Sequence, residues 1–152
     1  MQNKKTEGGT LLSQTHQICQ RVWYAVLKRN ALEDLAGARG RIIFALWNED
    51  KIPIKKLVEK TSIDKATLTG IIDRLERDGY VKRVQSKEDK RVTLVCRTGK
   101  DEIFKQKIPQ ASKEQNKLFY SGFSTKEIKE FENYLKRILQ NCKEAEEQLS
   151  IQ

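Results

Sequence analysis

Catalytic machinery is what this sequence has least of. His16 is the only histidine among 152 residues, and there is no glycine-rich phosphate loop, no HExxH and no cysteine–histidine spacing to carry a reaction; an enzyme is not expected. Three cysteines, Cys19, Cys96 and Cys142, lie far apart without a CxxC pair. Bridging two would strand the third, so neither a disulfide scaffold nor a metal centre is expected, and no cofactor is implied. No apolar run approaches the roughly 20 residues of a membrane span, and no charged start followed by an apolar stretch opens the chain. A soluble, cytoplasmic protein is expected.

Positive charge is what the sequence has in excess. Thirty Lys and Arg against 21 Asp and Glu give a formal net charge of +9. That balance favours a polyanionic partner, because Lys and Arg contacts to phosphates release condensed counterions and dominate affinity. The length suits one core of ordinary size, or a small domain with dimerisation helices attached.

Residues 1–9 are polar and end in a glycine pair, so a flexible arm is expected there. From Leu11 to about Arg29, apolar positions including Ile18, Cys19, Val22 and Trp23 cover more than one helical face, which suits a helix clamped between two surfaces. Gly37 and Gly40 break the next segment, and Ile42–Trp47 reads as a short apolar helix. Pro53 opens another, with Ile54, Leu57 and Val58 at helical spacing before the polar break at Lys60–Ser62.

The most informative stretch is 64–98. Leu68, Ile71, Ile72 and Leu75 recur three to four residues apart, so one face of a helix packs while Lys65, Thr67, Thr69, Gly70, Asp73 and Arg74 fall on others. Asp64 is a good N-cap and Gly79 a good stop. With the preceding short helix this makes a helix-turn-helix. Two strands follow, Tyr80–Val84 and Val92–Arg97, joined by the wholly polar Gln85–Lys90. They read as a hairpin with a basic tip, and Lys65, Arg74, Lys82, Arg83, Lys87, Lys90 and Arg91 are expected to face outward.

A long helix is expected from about Thr98, kinked at Pro109. Ser124 caps the last helix, where Ile128, Phe131, Leu135, Ile138, Cys142, Ala145 and Leu149 repeat as an a/d seam. A seam at the end of a small domain needs a partner helix: either the chain's own first helix, or a second copy joined through both termini. The expected fold class is mainly α with a small β-hairpin wing. It divides into a winged helix-turn-helix lobe over 31–97 and a helical dimerisation region over 10–30 and 98–152, with Ile18, Val22 and the last-helix seam at the interface.

From Leu11 to Leu149 the chain resembles the MarR family of winged helix-turn-helix transcription regulators. The resemblance is carried by the run from Ala66 to Glu76, the Asp78-Gly79-Tyr80-Val81 turn, and Asp89-Lys90-Arg91 in the wing. It implies a homodimeric, sequence-specific reader of a pseudo-palindromic duplex, a repressor released by a small-molecule effector. Small and hydroxylated Ala66, Thr67 and Thr69, with Gly70, let a helix approach the major-groove floor. Lys65 and Arg74 suit phosphates or guanine edges. In the wing, Asp89 resembles the family's bracing acid and Arg91 its minor-groove arginine, with Lys87 and Lys90 as further cations. Many members carry an arginine at the position of Gly70, a glycine at Ser62 and a leucine at Arg97, so the DNA sequence read is not carried over. Arg97 either adds a phosphate contact or snorkels to solvent.

The resemblance leaves two routes of control open. An aromatic effector would meet Trp23, Phe44 or Trp47, each of which an ordinary core would also contain. Some members sense oxidants through a first-helix cysteine, which would be Cys19, although a thiol there is also a small core residue. A module binding protein or RNA is the reading from a different class.

Overall fold

The computed structural model describes residues 6–149, which form two compact units, the first through Gln115 and the second from Asn116. The first helix, α1 (Gly8–Arg29), begins inside the segment expected to be an arm; residues 1–5 of that segment lie outside the described residues. Only Val26 and Leu27 of α1 are buried, and Leu11, Leu12, Ile18 and Tyr24 are exposed. The expected burial of α1 on two sides is not seen among the described residues: only its last turns meet the core of the first unit.

After a 3-10 turn at Glu33–Leu35, α2 runs from Gly37 to Asn48. The two glycines expected to break this segment belong to the helix. A Cβ at Gly40 would lie 1.9 Å from the Leu35 carbonyl oxygen, so glycine is what lets the turn seat directly on the helix. A two-residue strand, β1 (Ile52–Pro53), leads into α3 (Ile54–Thr61), and α4 (Lys65–Arg77) follows across Ser62–Asp64. The turn between the helices is closed by Ser62 in the left-handed region at φ 54° and by the Asp64 carboxylate, which accepts the Thr67 amide at 2.9 Å.

The wing strands are β2 (Val81–Gln85) and β3 (Thr93–Arg97), close to the spans expected. β3 lies in the middle of an antiparallel sheet ordered β1-β3-β2, with Ile52 opposite Val95 and Arg83 also opposite Val95. The core gathers Leu27, Leu32 and Leu35, then Ile42, Ile43 and Leu46 of α2, Leu57 of α3, the α4 stripe Leu68, Ile71, Ile72 and Leu75, and Val81 and Val95 of the wing. Burying a Leu or Ile side chain contributes about 1.5–3 kcal/mol, so the α4 stripe alone anchors that helix firmly.

The next helix, α5 (Glu102–Phe119), starts four residues later than expected and runs through Pro109. Its Ala111 is buried, and Phe104 and Ile108 pack on the core, so its first half belongs with the lobe rather than outside it. In the second unit, α6 (Thr125–Gln148) opens on a reciprocal cap: Ser124 Oγ accepts the Glu127 amide and Glu127 accepts the Ser124 amide. Phe119, Tyr120, Phe123 and Phe131 cluster around the turn into it. No residue of α6 is buried; Ile128, Phe131 and Leu135 of the seam are half-buried, and Ile138, Cys142 and Leu149 are exposed.

Candidate nucleic-acid interface

Helix α4 divides cleanly into two faces. Leu68, Ile71, Ile72 and Leu75 are buried, and Ala66, Thr69, Gly70 and Asp73, spaced by three and four residues, share the opposite face. Lys65, Ala66, Thr67 and Arg74 are exposed, and Thr69 and Gly70 are half-buried. A Cβ added to Gly70 would meet nothing within 4 Å. The face is thus short-chained at its centre, with cations to either side.

Arg74 has no ion-pair partner among the described residues; its Nε donates to the Gly70 carbonyl at 3.2 Å, which lays the side chain along the helix. The neighbouring carboxylates on the helix, Asp73 and Glu76, are both taken by Arg83 of β2. Arg83 Nη2 donates to Asp73 at 2.5 Å, Nη1 donates to Glu76 at 2.6 Å, and its backbone amide donates to Glu76 at 3.0 Å. Burial works against the Arg83 charge, and the two carboxylates outweigh it, so its pKa stands above the ordinary value. Arg83 therefore does not face outward as expected. The signal that reveals it is the strand period: Arg83 shares its parity with buried Val81, not with exposed Lys82 and Val84.

At the wing tip, the Asp89 carboxylate is gripped by its neighbour. Arg91 Nε and Nη2 donate to the two Asp89 oxygens at 3.1 Å each, and the Arg91 amide donates to Asp89 at 3.0 Å. The Arg91 side chain beside it holds the Asp89 carboxyl below its ordinary pKa. Ser86 Oγ accepts the amides of Glu88 and Asp89, closing the loop from its other side. Lys87, Lys90 and Arg91 are exposed, with the Arg91 side chain 90% accessible. Asp89 and Arg91 are thus paired across the wing tip, beside the exposed side chains of Lys87 and Lys90.

Arg97 follows neither expected course. Its guanidinium forks onto Asp101 and reaches Glu102, and its amide donates to Asp50 at 2.8 Å. Trp47 Nε1–H donates to the same Asp101 carboxylate. Trp47 also packs on Phe44, with ring centroids 5.1 Å apart. Of the three aromatics considered for an effector wall, Phe44 lines a groove between α2 and α3 with Arg41, Asn48, Lys60 and Thr61; Trp47 and the half-buried Trp23 of α1 do not line it.

Cys19 is half-buried on α1, Cys96 is buried in β3 and Cys142 is exposed. Burial, and then the nearby Asp50 charge, push the Cys96 thiol pKa up, which suits a packing role. Among the described residues no cluster of three His, Cys, Asp or Glu side chains could hold a metal ion. No helix of the described residues is long and apolar enough to cross a membrane.

The model of the MarR family matches residues 38–93, from α2 to the start of β3. The transcriptional regulator SarZ of Staphylococcus haemolyticus is 43% identical over 58 residues, 38% of this chain and 40% of that protein's length. MgrA of Staphylococcus aureus, also a transcriptional regulator, is 26% identical over 106 residues, 70% of this chain and 71% of its own. Among solved structures, a cysteine-to-serine variant of MarR from E. coli complexed with operator DNA superposes with a TM-score of 0.75 at 25% identity, covering 86% of this chain and 92% of that one.

Proposed function

We propose that the chain, whose residues 38–93 match the model of the MarR family, is a winged helix-turn-helix member of that family and a homodimeric regulator of transcription that reads duplex DNA. Its relatives are regulators, not enzymes. In this reading Ala66, Thr67, Thr69 and Gly70 approach base edges in the major groove. Lys65 and Arg74 bind phosphates, and Arg91, with Lys87 and Lys90, enters the minor groove from a wing braced by Asp89. The observation that carries it is the two-faced α4: a buried stripe beneath, and above it an exposed face whose centre is a glycine with nothing within 4 Å of an added Cβ. That surface admits a duplex closely.

Two further parts of the proposal rest on particular surfaces. Exposed Leu11, Leu12 and Ile18 of α1, and exposed Ile138, Leu139 and Leu149 at α6, support a second copy as their cover. The regulator acts in the cytoplasm as a repressor, and a small aromatic effector, in contact with Phe44, Trp23 or Trp47, releases it. Such a ligand need only favour the released state by a few kcal/mol.

Selection of duplexes from a random library by the purified protein, followed by gel shifts over a salt series, tests the DNA reading. Affinity should fall with salt, each neutralised phosphate adding roughly 0.9 to the logarithmic slope. Failure to enrich any duplex, or tighter binding to RNA of the same length, would overturn it.

A further inference from the structure

We propose that Arg83 is the positioning residue that seats the wing on the recognition helix and screens that helix's own carboxylates from DNA. The inference rests on the DNA-reading function above. Asp73 lies on the exposed face of α4 with Ala66, Thr69 and Gly70, so a bare carboxylate there would confront a polyanion at the centre of the reading surface. Arg83 reaches it from β2 and simultaneously holds Glu76, one turn further along the helix. One side chain thereby neutralises two acids and joins the two elements that must enter adjacent grooves.

The contact geometry needs arginine. Its planar fork donates to two carboxylates at once, whereas a lysine ammonium carries the same charge but cannot hold both in fixed directions. The Arg83 amide, donating to Glu76, sets the strand at the same height. The wing keeps separate anchors at its base: Thr98 Oγ1 donates to the Gly79 carbonyl at 2.7 Å, and Lys100 Nζ donates to the Asp78 carbonyl at 2.7 Å. Loosening Arg83 therefore frees the wing's direction without detaching the hairpin. Strand and helix become independent readers where they had been one.

The test is a binding cycle with a duplex selected from random DNA by the wild-type protein. Arg83→Lys keeps the charge and should still weaken binding about tenfold, with Arg83→Gln weaker again because it leaves both carboxylates bare. The decisive readout is coupling to the wing tip. Arg91→Ala should weaken the wild type about tenfold but the Arg83→Lys protein less than about threefold, since a misaligned wing has little left to lose. Should Arg83→Lys melt below the assay temperature, Asp73→Asn with Glu76→Gln opens the same clamp from the helix side and should show the same loss of coupling. Wild-type affinity for Arg83→Lys would make Arg83 a simple phosphate contact and overturn the proposal. A full tenfold cost of Arg91→Ala in the clamp-opened protein would overturn it as well. Absence of any selected duplex would instead remove the DNA-reading function, and this proposal with it.

Discussion

Arg97 and Asp101 form a forked ion pair whose carboxylate has no solvent exposure: Nε and Nη2 of Arg97 donate to it at 2.9 and 3.2 Å, and Trp47 donates to it from α2. A buried charge is tolerable only with partners of this quality, and three elements, β3, α2 and the start of α5, meet at it. Such a pair adds little net stability against an apolar replacement, but breaking it is costly.

Asp101→Asn should therefore destabilise the protein by about 3–5 kcal/mol, since it leaves the Arg97 guanidinium, only 15% accessible, without its main partner. Joint replacement of Arg97 by Leu and Asp101 by Ala should recover most of that loss. Urea denaturation at one protein concentration reads both; a double replacement as unstable as the single one would show that the pair itself, not the orphaned charge, is what matters.

Ser62→Gly should stabilise by about 1 kcal/mol, because Ser62 holds φ 54° at the end of α3 and glycine bears no Cβ penalty there. A rise in melting temperature without a change in DNA affinity is the expected result. No rise would mean that the serine side chain offsets its backbone cost.

Gly70→Ala separates folding from reading. Alanine is favoured over glycine inside a helix by about 1 kcal/mol, and the added methyl has open space, so the melting temperature should go up. Affinity for a selected duplex should go down, as the methyl intrudes where the backbone approaches the groove floor. Unchanged affinity would take Gly70 out of the interface.

Acid should loosen the seam between α2 and the end of α4. The Arg39 guanidinium, donating to Asp78 at 2.7 Å, holds that carboxyl below its ordinary value of 3.8. A depressed folded value means that the stabilisation is fully present above 3.8 and disappears as pH falls through the lower folded value. Urea midpoints measured between neutral pH and about pH 2 should decline in that lowest range. Asp78→Asn should lower the midpoint at neutral pH and flatten the decline.

The periodic features of the fold are legible in the sequence alone. The α4 stripe, the Asp64 cap, the Gly79 stop at φ 80° and the Ser124 cap all follow from local rules, and each stands where those rules put it. Relations between distant residues are not legible in this way. Gly40 reads as a helix breaker because its purpose, contact with the Leu35 carbonyl, depends on a neighbouring turn. Arg97 offers two surface roles, since nothing in its own segment announces that the carboxylate four residues on is buried. β1 is two residues long and exists only because β3 is there to pair with it. The exposed apolar side of α1 reads as internal for the same reason: periodicity marks which face is apolar, not what covers it.

The separation of α4 into a buried stripe and an exposed face has an evolutionary consequence. Leu68, Ile71, Ile72 and Leu75 carry the packing, while Ala66, Thr67, Thr69 and Gly70 carry none of the fully buried core, so duplicated copies of such a lobe can diverge in what they read while keeping the same scaffold. For an engineer the same division defines a library: those four positions can be randomised together, and most members should still fold.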